Sequence, residues 1–409
     1  MSYVSRDIEK SFLRMSQEFG AVLLTGPRQV GKTTMLEHLA SAEGGERGYV
    51  SLDDLDTRAM AQNDPKLFLQ MHPPPVIIDE IQYAPQLFPY VKVEIDKRKL
   101  KGGYWLTGSQ LFKLMQSVQE SLAGRVGLLQ MLPFSQRELY DSGGILPFDL
   151  NREHLIAQSL SQKPISVHET YSRIFNGGMP AIAVDKIERG DFFPSYLGTY
   201  IERDIRQISD VLDPLKFNTF ITSVAARSAQ QLNYSSLALD ADIDIRTAKR
   251  WLSILEALGI VFFLHPFANN TLKRTIKSPK LYFFDTGLAA YLTKWESVDS
   301  LSVGAMSGAI LENYVVTEIV KSFRNFGREP FLAYYRDKEK QEIDLILEKD
   351  GKVFPIEIKR SVSPSANLAK VFKTLDKGPW QRSTGAIICL ADNLGSIGQD
   401  ALVIPVSYL

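Results

Sequence analysis

Hydrophobic positions in the first third of the chain fall in short runs, and longer stretches of helical composition separate them. These runs predict four buried strands, at residues 21–25, 75–78, 104–107 and 126–132. A helix is predicted after the first strand, at residues 33–42. Short apolar strands alternating with helices are typical of a parallel sheet covered by helices on both faces. The pattern therefore predicts an α/β domain over residues 1–140.

The pattern changes twice more along the chain. Prolines punctuate residues 141–212, which also contain a predicted helix at 195–211, and we expect a helical lid there. Residues 213–298 predict three helices followed by two strands, which is the order of a winged-helix domain. Residues 299–409 begin with a helix and continue with strands, which predicts a second α/β domain.

Composition sets few limits on function. Lys plus Arg and Asp plus Glu both number 47 among 409 residues, and this balance neither demands nor excludes a nucleic-acid partner. Cys389 is the only cysteine, so no intrachain disulfide is possible and a reducing compartment is favoured. No apolar run approaches the ~18 residues of a membrane span. We expect a cytoplasmic protein without a membrane partner.

Residues 26–33, GPRQVGKT, match the phosphate-binding pattern G-x-x-x-x-G-K-[ST] between a predicted strand and helix. Backbone amides of such a loop and the N-terminus of the next helix point at phosphate oxygens. Lys32 is predicted to pair with the terminal phosphates of ATP, and the Thr33 hydroxyl to ligate Mg²⁺. The predicted nucleotide-binding residues are Gly26, Pro27, Arg28, Gln29, Val30, Gly31, Lys32, Thr33, Thr34 and Asp79.

Two further strand ends carry candidate catalytic residues. Asp79 ends the second predicted strand, where a carboxylate can hold the hydration shell of Mg²⁺, and Glu80 can polarise the attacking water. Ser109 and Gln110 follow the third strand and are candidate sensors of the γ-phosphate. A plain turn after the strand is the alternative interpretation of that pair.

Two arginines are candidate partners of transition-state charge. Arg125 precedes the fourth predicted strand and is a candidate to reach the γ-phosphate that a neighbouring subunit binds. Arg203, on the predicted lid helix, is a candidate second sensor within the same subunit. Either arginine can instead form a surface salt bridge. If Arg125 is such a finger, the working unit is a homo-oligomer, with a hexameric ring favoured.

A second constellation of charged residues lies near the C-terminus. If Asp350-Gly351 form a two-residue turn, Lys349 pairs with Lys352 and Asp344 faces Glu357. Side chains alternate along strands, so Asp344, Glu357 and Lys359 share one face. Two opposed carboxylates can bind a divalent cation, and Lys359 beside them can position or activate water or offset phosphate charge. The D…E-x-K arrangement resembles that of restriction-endonuclease-like nucleases, and this resemblance implies Glu312 on the preceding helix as a further carboxylate. The alternative is a solvated strand face with salt bridges.

The predicted winged helix carries basic residues that can contact DNA. Arg246, Lys249 and Arg250 occupy one face of its last helix, opposite the apolar face. Lys273, Arg274, Lys277 and Lys280 add positive charge in the wing. A solvated face on a domain that contacts other proteins is the alternative.

These motifs together resemble a known family. GPRQVGKT, IIDEIQ, LTGS and SLAGR are similar to AAA ATPases of the archaeal-ATPase type. GGMP, KLYFFDTG and the final EID…IEIK resemble the domain of unknown function attached to those ATPases. The resemblance covers nearly the whole chain. It implies a P-loop ATPase core, a lid, a winged helix and a C-terminal domain like restriction endonucleases of the PD-(D/E)xK class.

Three hypotheses for function follow. The first is a DNA-binding ATPase that remodels or translocates DNA, including branched or junction forms, as a ring. The second is a metal-dependent endonuclease gated by ATP. The third is a nucleotide-switched regulator that binds protein and carries a vestigial nuclease-like domain.

Overall fold

The computed structural model describes residues 3–42, 44, 47–109, 122–140, 147–201, 213–268 and 278–409. Two compact units divide the chain. The first contains residues 1–133 with the short segments 257–259 and 324–328, and the second contains the remainder. None of the described helices is both long and apolar enough to cross a membrane.

The first unit is built on a five-stranded parallel sheet with the order β2-β3-β4-β1-β5. Its strands are β1 (Ala21–Thr25), β2 (Gly48–Ser51), β3 (Val76–Asp79), β4 (Tyr104–Gly108) and β5 (Val126–Gln130). Its helices are α1 (Glu9–Glu18), α2 (Lys32–Ala42), α3 (Leu55–Asn63), α4 (Pro65–Met71) and α5 (Leu87–Arg98), and a 3₁₀ turn covers Ile81–Tyr83.

Side-chain alternation along the central strands fills both faces of this sheet. Leu23, Ile78 and Leu106 belong to one buried cluster, and helix α5 contributes Phe88 to it. On the other face, Trp105 meets the edge of Phe12 from α1, and its indole donates to Ser16 Oγ at 2.8 Å. Central strands that are buried on both faces must be apolar throughout, which is why their sequences predicted them.

Helices dominate the N-terminal part of the second unit. They are α6 (Gln136–Tyr140), α7 (Arg152–Ser161), α8 (Val167–Asn176), α9 (Pro180–Ala183), α10 (Arg189–Tyr196), α11 (Pro214–Ala226), α12 (Tyr234–Asp240) and α13 (Ile245–Ala257). A turn of π-helix over Leu197–Ile201 continues α10, and the rest of the helix predicted at 195–211 lies outside the described residues.

An antiparallel pair follows α13, formed by β6 (Val261–Leu264) and β7 (Lys280–Phe283). Three helices come next, α14 (Thr286–Leu292), α15 (Val298–Val303) and α16 (Ser307–Asn325). The order of α11, α12, α13, β6 and β7 is the order expected for a winged helix.

A mixed sheet with the order β13-β14-β12-β10-β9-β8 ends the second unit, and β11 pairs with β10 outside that path. Its strands are β8 (Leu332–Arg336), β9 (Glu342–Lys349), β10 (Lys352–Lys359), β11 (Gln381–Arg382), β12 (Gly385–Cys389), β13 (Gly395–Ile397) and β14 (Ala401–Pro405). Turns of 3₁₀ helix cover Ala366–Lys377 and Val406–Tyr408. Both sheets confirm the predicted α/β class.

The buried carboxylate of Asp285 connects two distant motifs inside the second unit. It accepts hydrogen bonds from the backbone N–H of Gly178 and of Leu288, each at 2.7 Å. A Cβ on Gly177 would lie 2.5 Å from Asp285 Oδ1. The loop after α8 therefore packs against the N-terminus of α14 too closely for a side chain at this position. GGMP and FFDTG are therefore two halves of one structural contact.

Candidate functional site

The phosphate-binding loop joins β1 to α2 and is closed around its own lysine. Gly26 and Gly31 have φ values of +140° and +90°, which side chains other than glycine rarely adopt. A Cβ on Gly26 would lie 2.1 Å from the carbonyl oxygen of Met131. Lys32 is buried, and its ammonium donates to the carbonyl oxygens of Gly26 at 3.1 Å and Pro27 at 2.9 Å. Phosphate oxygens are the stronger acceptors that this ammonium can take instead.

Asp79 gathers hydroxyl groups at the carboxyl end of the sheet. Thr33 Oγ1 donates to its two carboxylate oxygens at 3.1 and 3.0 Å, and Tyr49 Oη donates at 3.1 Å. The hydroxyl of Thr107 at the end of β4 donates to the same carboxylate. A hydroxyl and a carboxylate beside a phosphate loop are the protein oxygen ligands that Mg²⁺ uses with a nucleotide, so Thr33 and Asp79 fit that ion.

Tyr49 keeps its proton beside this carboxylate. Burial, with the charge of Asp79 and the hydrogen bond to it, raises the pKa of Tyr49 to about 12. The phenol therefore remains a donor at neutral pH. Tyr49 comes from edge strand β2, which the hydrophobic pattern did not predict.

Glu80 follows Asp79 in a left-handed conformation, with φ at +57°. Its backbone N–H donates to Thr107 Oγ1 at 3.1 Å, and its carboxylate accepts hydrogen bonds from the Gln82 amide and, at 3.4 Å, from Ser109 Oγ. Ser109 therefore contacts the candidate catalytic glutamate, while Gln110 lies outside the described residues.

Arg125 lies at the amino end of the parallel strands, whereas the phosphate loop lies at their carboxyl end. Val126 pairs with Ala21 at the start of β1, whereas the loop follows the end of β1. The Arg125 guanidinium forms an exposed two-bond ion pair with Asp96, at 2.9 and 3.1 Å. Five residues of strand, about 16 Å, separate it from the loop of its own chain. Arg203 lies outside the described residues.

The basic face of α13 is exposed as predicted. Arg246, Lys249 and Arg250 all face solvent, while Trp251 and Leu255 are buried on the other side. Lys273 and Arg274, together with Lys277, lie outside the described residues. Lys280 does not belong to this surface, because its side chain is only 3% exposed. Its prediction as a wing residue that adds positive charge for DNA was wrong.

The β9–β10 hairpin has the predicted register. Lys349 pairs with Lys352 and Leu345 with Ile356, and Asp344 and Glu357 come immediately after this last pair. Asp350 and Gly351 have φ values of +51° and +72°, as a two-residue turn of type I′ requires. Lys359 Nζ lies 2.9 Å from Asp344 Oδ2 and 2.6 Å from Glu357 Oε2.

A second lysine extends this group. Lys280 Nζ lies 2.9 Å from Glu312 Oε1 and 2.6 Å from Glu342 Oε1, and Tyr282 Oη donates to Glu312 at 2.8 Å. We call these residues, which come from β7, α16, β9 and β10, the carboxylate–lysine cluster. Its members are Lys280, Tyr282, Glu312, Glu342, Asp344, Glu357 and Lys359.

The charges in the carboxylate–lysine cluster shift one another's titration. Burial, with the charge of Asp344, raises the pKa values of Glu312 and Glu357 to about 7. Burial alone would lower the pKa of Lys280, but the carboxylates of Glu312, Asp344 and Glu342 outweigh it and raise that pKa. The carboxylates of Asp344 and Glu357 raise the pKa of Lys359 against burial in the same way, so both lysines are charged at neutral pH.

A divalent cation does not fit the carboxylate–lysine cluster as it is arranged. Within the described ranges, no three or more His, Cys, Asp or Glu side chains are grouped so that they could hold a metal ion. The predicted ligands Glu312, Asp344 and Glu357 each lie within 3 Å of a lysine ammonium instead.

Comparison with protein families places three segments. Residues 18–140 match an AAA domain, residues 168–299 match a domain of unknown function (DUF8612), and residues 307–409 match another (DUF4143). The chain is an AAA protein with a C-terminal domain of unknown function. The family resemblance drawn from the motifs is thereby confirmed.

Relatives of this AAA protein occur in mycobacteria. The uncharacterized proteins Rv2008c of Mycobacterium tuberculosis and Mb2031c of Mycobacterium bovis are each 29% identical over 363 residues, which cover 88% of this chain and 75% of theirs.

Among solved structures, the Walker-type ATPase PABY2304 of Pyrococcus abyssi is similar at 15% identity with a TM-score of 0.42, covering 70% of this chain and 94% of that one. The RuvB Holliday junction branch migration motor of Thermotoga maritima has 15% identity and a TM-score of 0.31, with 63% and 89% coverage. Scores this low carry no conclusion about function.

Sequence reasoning missed several members of these sites. Tyr49, Gln82, Lys280 and Tyr282 contact candidate site residues from neighbouring strands or turns. Gln82 had a signal, because it stands two residues after Glu80 in IIDEIQ. The other three come together only through strand pairing and helix packing.

Proposed function

We propose that this AAA protein is a DNA-directed, ring-forming ATPase that uses ATP hydrolysis to remodel or translocate DNA. The observation that carries the ATPase part is the contact between the Thr33 hydroxyl and the Asp79 carboxylate, at 3.0 and 3.1 Å. The two side chains come from different elements and meet beside the phosphate loop, with Glu80 next in the chain. Hydrolysis of the terminal phosphate is the chemistry that such a set serves.

Each residue has a separate part in the proposed reaction. The loop amides and Lys32 bind the phosphates, and Lys32 exchanges its carbonyl partners for phosphate oxygens. Thr33 and Asp79 would hold Mg²⁺, which neutralises phosphate charge when bound. Glu80 orients and polarises the water that attacks the γ-phosphorus. Gln82 and Ser109 hold Glu80 in place through their contacts with its carboxylate.

Arg125 is proposed to act on the nucleotide of a neighbouring subunit. Its position at the amino end of the strands of its own sheet supports action between subunits rather than within one. In the free chain the Arg125 guanidinium pairs with Asp96. On assembly, Arg125 would exchange this exposed carboxylate for the phosphate bound by the neighbouring subunit. An exposed pair contributes little stability, so the exchange costs little.

The DNA part of the proposal is supported by the exposed face of α13. Arg246, Lys249 and Arg250 are directed away from the buried side of the helix, as phosphate or base contacts require. Branched or junction DNA is included in the proposed substrate class.

The deciding experiment is ATPase activity measured with single-stranded, duplex and junction DNA. We expect DNA to stimulate turnover and Lys32→Ala to abolish it. Binding of the same DNAs at low salt, where phosphate contacts are strongest, is measured in parallel. A protein with neither DNA affinity nor DNA-stimulated turnover contradicts the proposal.

A second candidate is a nucleotide-switched regulator that binds protein. The burial of Lys280 favours this candidate. A buried Lys280 contributes no charge to the proposed DNA surface, and its ammonium neutralises carboxylates of the carboxylate–lysine cluster instead. Slow hydrolysis that no DNA changes, together with a protein partner of α13, would support this candidate.

A further inference from the structure

The carboxylate–lysine cluster contains two lysines, whereas the predicted metal site contained one. Lys359 belongs to the predicted set and remains partly open to solvent, with 35% of its side chain exposed. Lys280 lies outside that set, on β7, and its side chain is 3% exposed. Its ammonium reaches Glu312 on α16 and Glu342 on β9.

The Lys280 ammonium takes the part that a bound metal cation would have beside these carboxylates. A buried carboxylate needs a counter-ion or a proton, because the low polarity of the interior penalises an isolated charge. Lys280 supplies that counter-ion to Glu312, which Tyr282 also contacts, and Lys359 supplies it to Asp344 and Glu357. A divalent ion would have to displace a buried ammonium to reach Glu312.

We propose that Lys280 is a built-in cation that replaces a divalent metal in the C-terminal domain. The domain therefore binds no catalytic metal ion and does not cut nucleic acid by a metal-dependent route. This inference concerns only the carboxylate–lysine cluster and is independent of the ATPase reaction.

The test is a titration with Mn²⁺ by isothermal calorimetry. Asp79→Asn first removes the metal-binding carboxylate of the nucleotide site, so that only other sites are read. We expect this protein to bind no Mn²⁺ at the carboxylate–lysine cluster. Adding Lys280→Met, which has nearly the same length and no charge, should create one Mn²⁺ site per chain. Adding Glu312→Gln to that variant should remove the site again.

The matched control is Lys321→Met in the same Asp79→Asn background. Lys321 is another buried lysine of the second unit, and its ammonium lies 2.9 Å from Glu318 Oε1. Neither residue belongs to the carboxylate–lysine cluster. It should gain no Mn²⁺ site. Mn²⁺ should also raise the melting temperature of the Lys280→Met protein and leave the control unchanged, because a ligand that binds only the folded state stabilises it.

Two results would overturn the inference. One is Mn²⁺ binding to the Asp79→Asn protein with Lys280 intact, provided that Asp344→Asn removes it. The other is a folded Lys280→Met protein that binds no Mn²⁺. If Lys280→Met does not fold, the titration with Lys280 intact decides alone, and absence of binding supports the inference. Neither result bears on ATPase activity, which the Lys32→Ala comparison tests.

Discussion

Glu80 is restrained by a side-chain amide that lies two residues further along the chain. Gln82 donates to its carboxylate, and the hydroxyl of Ser109 lies 3.4 Å from the same oxygen. A base or water-orienting group loses efficiency when its position shifts by even an ångström. The residue Gln82 therefore matters for turnover more than for nucleotide affinity.

We predict that Gln82→Leu lowers kcat for ATP by about 10- to 100-fold and leaves KM nearly unchanged. Steady-state ATPase kinetics measure both constants. Gln62→Leu is the control, because Gln62 also donates a side-chain hydrogen bond in the first unit, to the Tyr83 carbonyl at 2.6 Å. A raised KM with normal kcat would show that Gln82 acts on binding instead.

Glu357 predicts how stability depends on pH. Its ordinary pKa is 4.5, and burial with the charge of Asp344 raises it to about 7 in the folded chain. Between these pH values the folded chain holds a proton that the unfolded chain has released. Stability therefore falls as pH rises through this window.

Glu357→Gln should remove the contribution of Glu357 to this dependence, which amounts to about 3 kcal/mol. Melting temperature measured from about pH 4.5 to about pH 8 should fall less steeply for Glu357→Gln than for the natural chain. Glu339→Gln, at an exposed carboxylate before β9, is the control and should keep the natural slope. Parallel curves for all three proteins would contradict the assignment.

At the scale of elements, α13 has the two faces that its hydrophobic period predicted. We predict that replacing Arg246, Lys249 and Arg250 together with alanine weakens DNA binding and flattens its salt dependence. Each lost phosphate contact reduces the slope of log K against log salt by about 0.9 for duplex DNA. Fluorescence anisotropy at several salt concentrations measures this slope.

The control removes the same charge from another exposed surface of the second unit. Lys370, Lys373 and Lys377 all face solvent within Ala366–Lys377, and their triple alanine variant should keep the natural slope. Equal losses in the two variants would mean that net charge, rather than α13, determines binding.

Some elements were predictable and others were not, for physical reasons. The central strands of the first unit carry continuous apolar runs, and the β9–β10 register followed from its Asp-Gly turn. Edge strand β2 has only one buried residue, Val50, so its sequence lacks that signal. Lys280 was misassigned because a charged residue usually marks a surface, and only its carboxylate partners make burial tolerable.

At the scale of the whole molecule, Arg125 predicts cooperation between chains. Arg125→Ala should lower kcat by about 10³-fold if the guanidinium stabilises transition-state charge. Mixing Arg125→Ala with Lys32→Ala should restore part of the activity. In the mixture, an intact phosphate loop from one chain can meet an intact arginine from the other.

ATPase assays of the two variants, alone and mixed, measure this effect. Asp96→Asn is the companion variant, because it frees the guanidinium from its ion pair and should keep activity. A mixture no more active than the sum of its parts would place Arg125 outside the reaction. Assembly state is read in parallel by light scattering.

The contact at Asp285 also has a consequence for the history of the sequence. Because its carboxylate receives the Gly178 N–H and leaves no room for a Cβ on Gly177, neither position can change alone without loss. Loss of the aspartate alone would not free the glycine pair, because a Cβ on Gly177 would still lie 2.8 Å from the backbone nitrogen of Gly287, and one on Gly178 would lie 2.2 Å from the carbonyl oxygen of Phe134. Relatives that keep the aspartate should therefore keep both glycines, although more than 100 residues separate the two motifs.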